Sequence, residues 1–113
     1  MKVLVCGGRE FCDTHRVYSF LDNLNRRNPI SAIIEGNARG ADRIAGYWAR
    51  KNGIDNLKFN ADWAKYGKAA GPIRNAEMLR VSSPDLVVAF PGNAGTAGMD
   101  AKARAANVEV IEA

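Results

Sequence analysis

The sequence predicts an α/β fold: a five-stranded parallel sheet, of order 3-2-1-4-5, between two layers of helices. Three observations predict it. Short apolar runs alternate with helical patterns in the order βαβαβ-α-βαβ, and such alternation builds a parallel sheet covered on both faces. The runs at Lys2 to Cys6 and Leu86 to Phe90 are the most apolar, which places the first and fourth strands at the centre. The strands around Lys58 and Glu109 carry charges, which suits edges. A Rossmann-like three-layer sandwich satisfies all three. Its winding reverses between strands 1 and 4, and ligands in such sheets sit beyond the carboxyl ends of the strands at that reversal.

Lys2 to Cys6 is the first strand. Asp13 or Thr14 then caps a helix whose Val17, Phe20, Leu21 and Leu24 share a face, and Asn28-Pro29 stops it. Ala32 to Glu35 is the second strand. Ala41, Ile44, Ala45, Trp48 and Ala49 form the stripe of an amphipathic helix ending at Asn52-Gly53. Leu57 to Asn60 is a weak third strand. Ala61 to Pro72 has no clear periodicity, and connections of about a dozen residues are usually functional. Pro72 suits the first turn of a third helix reaching about Val81. The fourth strand follows, then an Ala-rich helix over about 96–106, then a last strand from Val108 to Ile111.

The chain has 113 residues, 47% of them apolar and 25% charged. That is one globular domain, residues 1–113, rather than a disordered or collagen-like chain. No apolar run approaches the ~18 residues of a membrane span, and the first is too short for a signal sequence. The expectation is a cytoplasmic protein without a membrane partner, in which Cys6 and Cys12 stay reduced. Cys6, Cys12 and His15 lack both a fourth ligand and a C-x-x-C pair, so no metal is expected. Sixteen basic and 12 acidic residues leave a net charge of +4. Blocks such as Arg26-Arg27 and Arg50-Lys51 fall at helix ends, where they complement the dipole. A solvated surface accounts for them better than a nucleic-acid face does, and an anionic small ligand fits the balance at least as well.

Three glycine-bearing loops leave carboxyl ends of strands: Gly7-Gly8-Arg9, Gly36 to Gly40, and Pro91-Gly92-Asn93-Ala94-Gly95-Thr96. Glycine lets backbone N–H groups approach an anion, and a helix start adds unpaired donors and a positive dipole end. Three such loops on one sheet edge point to a phosphate or pyrophosphate. None matches the G-x-G-x-x-G or Walker pattern, and Gly67-Lys68 lacks a following Ser or Thr. Arg9 and Arg39 lie in these loops, and Arg74 in the first turn of the third helix, where a cation opposes the dipole. A bound anion accounts for Arg9 and Arg74 better than solvent does; for Arg39 the two readings are even. Trp63, Tyr66 and Lys68 populate the long connection and suit a lid over a base, a ribose and a phosphate. Trp63 also suits a cap over the core. Dipole complementation alone accounts for Asp42 at the start of the second helix, with a ribose contact as the lesser reading. Asp100 and Glu77 are carboxylates that would serve as general acid or base only if they faced the cleft. His15 has no nucleophile beside it, so a Ser-His or Cys-His mechanism has little support.

Four blocks occur in order along nearly the whole chain: Gly7 to Phe11, Gly36 to Asp42, Ala61 to Asn75 and Phe90 to Thr96. Together they resemble the YspA-like branch of the SLOG superfamily. The resemblance implies a Rossmann-like fold that binds nucleotides or nucleotide-derived signals. The Lonely-guy phosphoribohydrolases are more distantly similar. Their P-G-G-x-G-T loop looks like Pro91 to Thr96 with Asn93 in place of a glycine, and their Arg-Lys-x-x-Met looks like Arg74 to Met78 with Asn75 in place of lysine. The catalytic glutamates of those enzymes fall on Gly98 and Met99 here, and Asp100 is one residue further, rotated by about 100°.

The expected function is therefore binding of a phosphorylated nucleoside or nucleotide-derived ligand. The phosphate would lie on Gly92 to Thr96, with Arg9, Arg39 and Arg74 supplying charge. The alternative is a nucleotide N-glycosidic hydrolase using Arg74 with Asp100 or Glu77. No cofactor is expected, catalytic residues are not assigned, and self-association into a homo-oligomer is.

Overall fold

The computed structural model describes residues 1–113. Its strands are β1 (Lys2–Cys6), β2 (Ala32–Glu35), β3 (Asp55–Lys58), β4 (Leu86–Ala89) and β5 (Glu109–Glu112). Its helices are α1 (Thr14–Arg27), α2 (Ala41–Lys51), α3 (Trp63–Tyr66), α4 (Ala70–Ser82) and α5 (Ala94–Ala105). All strand pairs are parallel, in the order β3-β2-β1-β4-β5.

The pleat of β1 divides the interior. Val3 and Val5 pack with Val17 and Leu21 of α1 and Trp48 of α2. Leu4 and Cys6 face the opposite way, toward Met78 of α4 and Met99 and Ala103 of α5. Burying each such Val or Leu contributes roughly 1.5–3 kcal/mol. Trp48 is buried, and its indole N–H donates to Asp22 at 2.8 Å, tying α2 to α1. Asp13 caps α1 by accepting from Arg16 N at 3.0 Å. No helix is long and apolar enough to cross a membrane.

Four local expectations need correction. The third strand lies two residues earlier than the apolar run suggests, at Asp55–Lys58. Its Asn56 explains this: the amide donates to Ile33 O and the Glu35 carboxylate, so a polar residue supplies the pairing. The stretch from Ala61 to Pro72 is not irregular throughout. Asp62 accepts from Lys65 N at 3.1 Å and caps the single turn α3, and a 3₁₀ turn over Gly67–Ala69 leads into α4. Helix α4 consequently starts at Ala70, which moves Arg74 from the first turn into the second. The last helix begins two residues early, at Ala94, because Asn93 caps it by accepting from Gly95 N.

Candidate functional site

The loops after β1, β2 and β4 meet at the carboxyl edge of the sheet. Gly8 N donates to Pro91 O at 2.9 Å, joining the first loop to the third. Gly40, the N-cap of α2, has φ +91°, and a Cβ built there would lie 2.2 Å from Gly8 O. Only glycine lets the second loop close on the first. Gly8 and Gly40 thus act as packing positions that bring the loops together.

A cavity of about 290 Å³ opens at this edge, where winding reverses between β1 and β4. Gly7 and Arg9 border it from the first loop, Asp42 from α2, and Trp63 from α3. Arg74 and Asn75 border it from α4, and Asn93, Gly95 and Thr96 from the start of α5. Lys102, two turns into α5, completes the wall.

Arg74 is the best-anchored cation. Its Nη1 donates to Gly36 O at 2.7 Å and its Nε to Asn75 Oδ1 at 2.8 Å. Partial burial pushes its pKa below the ordinary value, opposed by the negative charge of Asp42. A guanidinium so placed still keeps its proton at neutral pH. Arg9 lies 5.3 Å from the Trp63 ring centroid, a cation–π distance that holds the two together over the cavity. Trp63 is 48% exposed, so it is a wall of the cavity rather than a cap on the core.

Asp42 is buried, which dipole complementation alone does not account for. Its Oδ2 accepts from Gly36 N at 3.1 Å and Ala38 N at 3.4 Å, fixing the second loop. Burial, reinforced by the charge of Glu35, pushes its carboxyl up to about 7. Glu35 is buried too, accepting from Asn37 N and Asn56 Nδ2, and burial raises its pKa.

Several sequence candidates lie elsewhere. Lys68 is exposed on the 3₁₀ turn and borders neither this cavity nor the one beside it. Arg39 borders only the adjoining cavity and pairs with Glu10 at 2.7 Å. Pro91, Gly92 and Asp100 border a hollow beside β5, on the other side of Asn93 and Thr96, and Asp100 is paired with Arg104. Glu77 is exposed on α4 and borders neither cavity. The geometry therefore does not bring either carboxylate of the hydrolase reading to Arg74. Cys6 borders the cavity from beneath, and burial pushes its thiol up to about 12, so it stays protonated and unreactive. No cluster of three His, Cys, Asp or Glu side chains is arranged to hold a metal.

Lys102 borders this cavity without having stood out in the sequence. Gly95, Gly98 and Lys102 recur at i, i+3 and i+7, one face of a helix.

Residues 1–66 match a family model described as YAcAr, the YspA, cpYpsA-related SLOG family. The Gene 61 protein of Mycobacterium phage D29 is 36% identical over 118 residues, covering 97% of this chain and 94% of that protein. Among solved structures, DNA processing protein A from Streptococcus pneumoniae superposes with a TM-score of 0.56 at 18% identity. That match covers 97% of this chain, which spans 58% of the DprA chain. The likeness is one of fold.

Proposed function

The chain belongs to the YspA, cpYpsA-related SLOG family, and from that premise we propose that it binds a phosphorylated nucleoside or nucleotide-derived ligand in the cavity between β1 and β4. One observation carries the reading. Arg9, Arg74 and Lys102 border a single cavity together with the start of α5, and none has a carboxylate within 4.0 Å. Three cations against the one carboxylate of Asp42 leave a positive excess around a helix start, and this favours an anion because the orphan N–H groups and the dipole add to their charge.

Trp63 supports a nucleotide rather than a bare phosphate. A base or ribose beside its indole gains apolar contact, while the Arg9 guanidinium lies over the ring. Arg74, held by Gly36 O and Asn75, offers its remaining N–H groups to phosphate oxygens with little entropy left to lose.

Equilibrium dialysis against a nucleotide panel, with mass spectrometry of both chambers, tests this. An intact nucleotide enriched on the protein side is expected. Free base and ribose phosphate in both chambers would replace binding by hydrolysis, and equal partition of every nucleotide would overturn the reading.

A further inference from the structure

We infer that the ligand carries two separated phosphate groups, one at the start of α5 and one between Arg9 and Arg43, with its sugar and base against Trp63. This rests on the reading above and narrows its ligand to one class, nucleosides phosphorylated at two positions.

A second cavity, of about 350 Å³, adjoins the first. The two share Arg9, Ala38, Trp63 and Arg74 as walls, and a ligand spanning those residues would treat them as the two halves of one trough. Either half alone is at the small end of the ~300–1,000 Å³ typical of ligand sites. A mononucleotide phosphate seated at α5 would leave the other half to water.

That other half is strongly cationic. Four arginines border it and no acidic residue does. Arg39 is already paired with Glu10, but Arg9, Arg43 and Arg74 have no carboxylate within 4.0 Å. Like charges gathered on one concave wall repel, and an anion among them removes that cost. Arg43 is aimed by its own loop: its Nε donates to Asn37 O at 3.2 Å, and the rest of the fork is free for a phosphate. Asn60 joins the same wall, and its Oδ1 accepts from Asn37 Nδ2 at 2.8 Å, fixing the far end of the trough.

Calorimetric titration with nucleoside 5′-monophosphates and the matching 3′,5′-bisphosphates, for each of four bases, tests the inference. The bisphosphate of the preferred base should bind on the order of tenfold tighter than its monophosphate, the scale of one charge-assisted contact. Arg43 is exposed on α2, so Arg43→Ala should fold. It should abolish that advantage and leave the monophosphate affinity unchanged. Arg104→Ala, which removes a cation outside the trough, should alter neither affinity. Equal affinities for the two probe classes, or an equal loss of both in Arg43→Ala, would overturn the two-phosphate ligand and leave the mononucleotide reading standing. Failure of every probe to bind would overturn both.

Discussion

At Arg74 a side chain is both structural and, by our reading, ligand-facing. It closes the β2–α2 loop through Gly36 O while remaining uncompensated by any carboxylate within 4.0 Å. Arg74→Ala should therefore weaken nucleotide binding by more than ~1.5 kcal/mol, the scale of a hydrogen bond to a charged group. Calorimetry checks it, and an unchanged affinity would remove Arg74 from the site. Its neighbour Asp42 gives a pH prediction. The folded carboxyl titrates at about 7 against an ordinary 3.8, so folding takes up a proton between those values. Asp42's contribution is then most favourable below about 3.8 and is lost as pH rises through about 7. Asp42→Asn keeps an oxygen acceptor for Gly36 N and Ala38 N but cannot ionise. It should exceed the parent in stability at pH 8, by on the order of 1 kcal/mol, with the gap shrinking toward pH 5. Urea denaturation across that range would show it, and parallel curves would refute it. Arg74 stood out in the sequence because a cation near a helix start is unusual, and Asn75 only through the family resemblance. Lys102 did not, because at the far end of a helix a lysine has an ordinary explanation in the dipole.

Where elements join, close backbone contact governs the site. Gly40 begins α2 at φ +91°, with Gly8 O 2.2 Å from where a Cβ would stand. Gly53 follows the same helix at φ +68° with nothing within 4 Å. Gly53→Ala carries a positive-φ penalty of roughly 1–2 kcal/mol, whereas Gly40, at φ +91° and ψ −134°, sits in backbone space essentially reserved for glycine. Only Gly40→Ala adds a backbone collision, so it should cost clearly more than Gly53→Ala and also weaken ligand binding by separating the loops. Denaturation midpoints of the two variants decide this, and equal losses would refute the collision. Sequence patterning located the apolar strands and the amphipathic helices well, because both are defined by burial. It placed β3 two residues late because an edge strand is paired on one side only. There Asn56 serves the ladder through its side chain, as no apolar periodicity can reveal. The turn α3 was hidden for a similar reason: one turn is too short for a period, and only the Asp62 cap announces it.

Over the whole molecule, the strand order was legible from charge and apolarity alone, since only two strands are apolar enough for the centre and two carry charges fit for edges. The positive charge is less simply read. The net +4 is spread over helix ends, where Arg26, Arg27, Arg50 and Lys51 complement dipoles, and over the trough. The trough gathers four cations without an ion-pair partner beside Trp63: Arg9, Arg43, Arg74 and Lys102. This bounds how a nucleic acid would bind. Each phosphate neutralised on a single strand contributes about −0.7 to the slope of log K against log salt. Four cations therefore allow a slope no steeper than about −3. A 20-nucleotide single strand should bind weakly at low salt, within that slope, and a 5′-monophosphate should displace it from the trough. Fluorescence anisotropy over a salt series measures both. A slope well beyond −3, with no displacement by mononucleotide, would mean that phosphates run across the dispersed helix-end charges as well. The protein would then be a nucleic-acid-binding module whose trough is only one segment of a longer track.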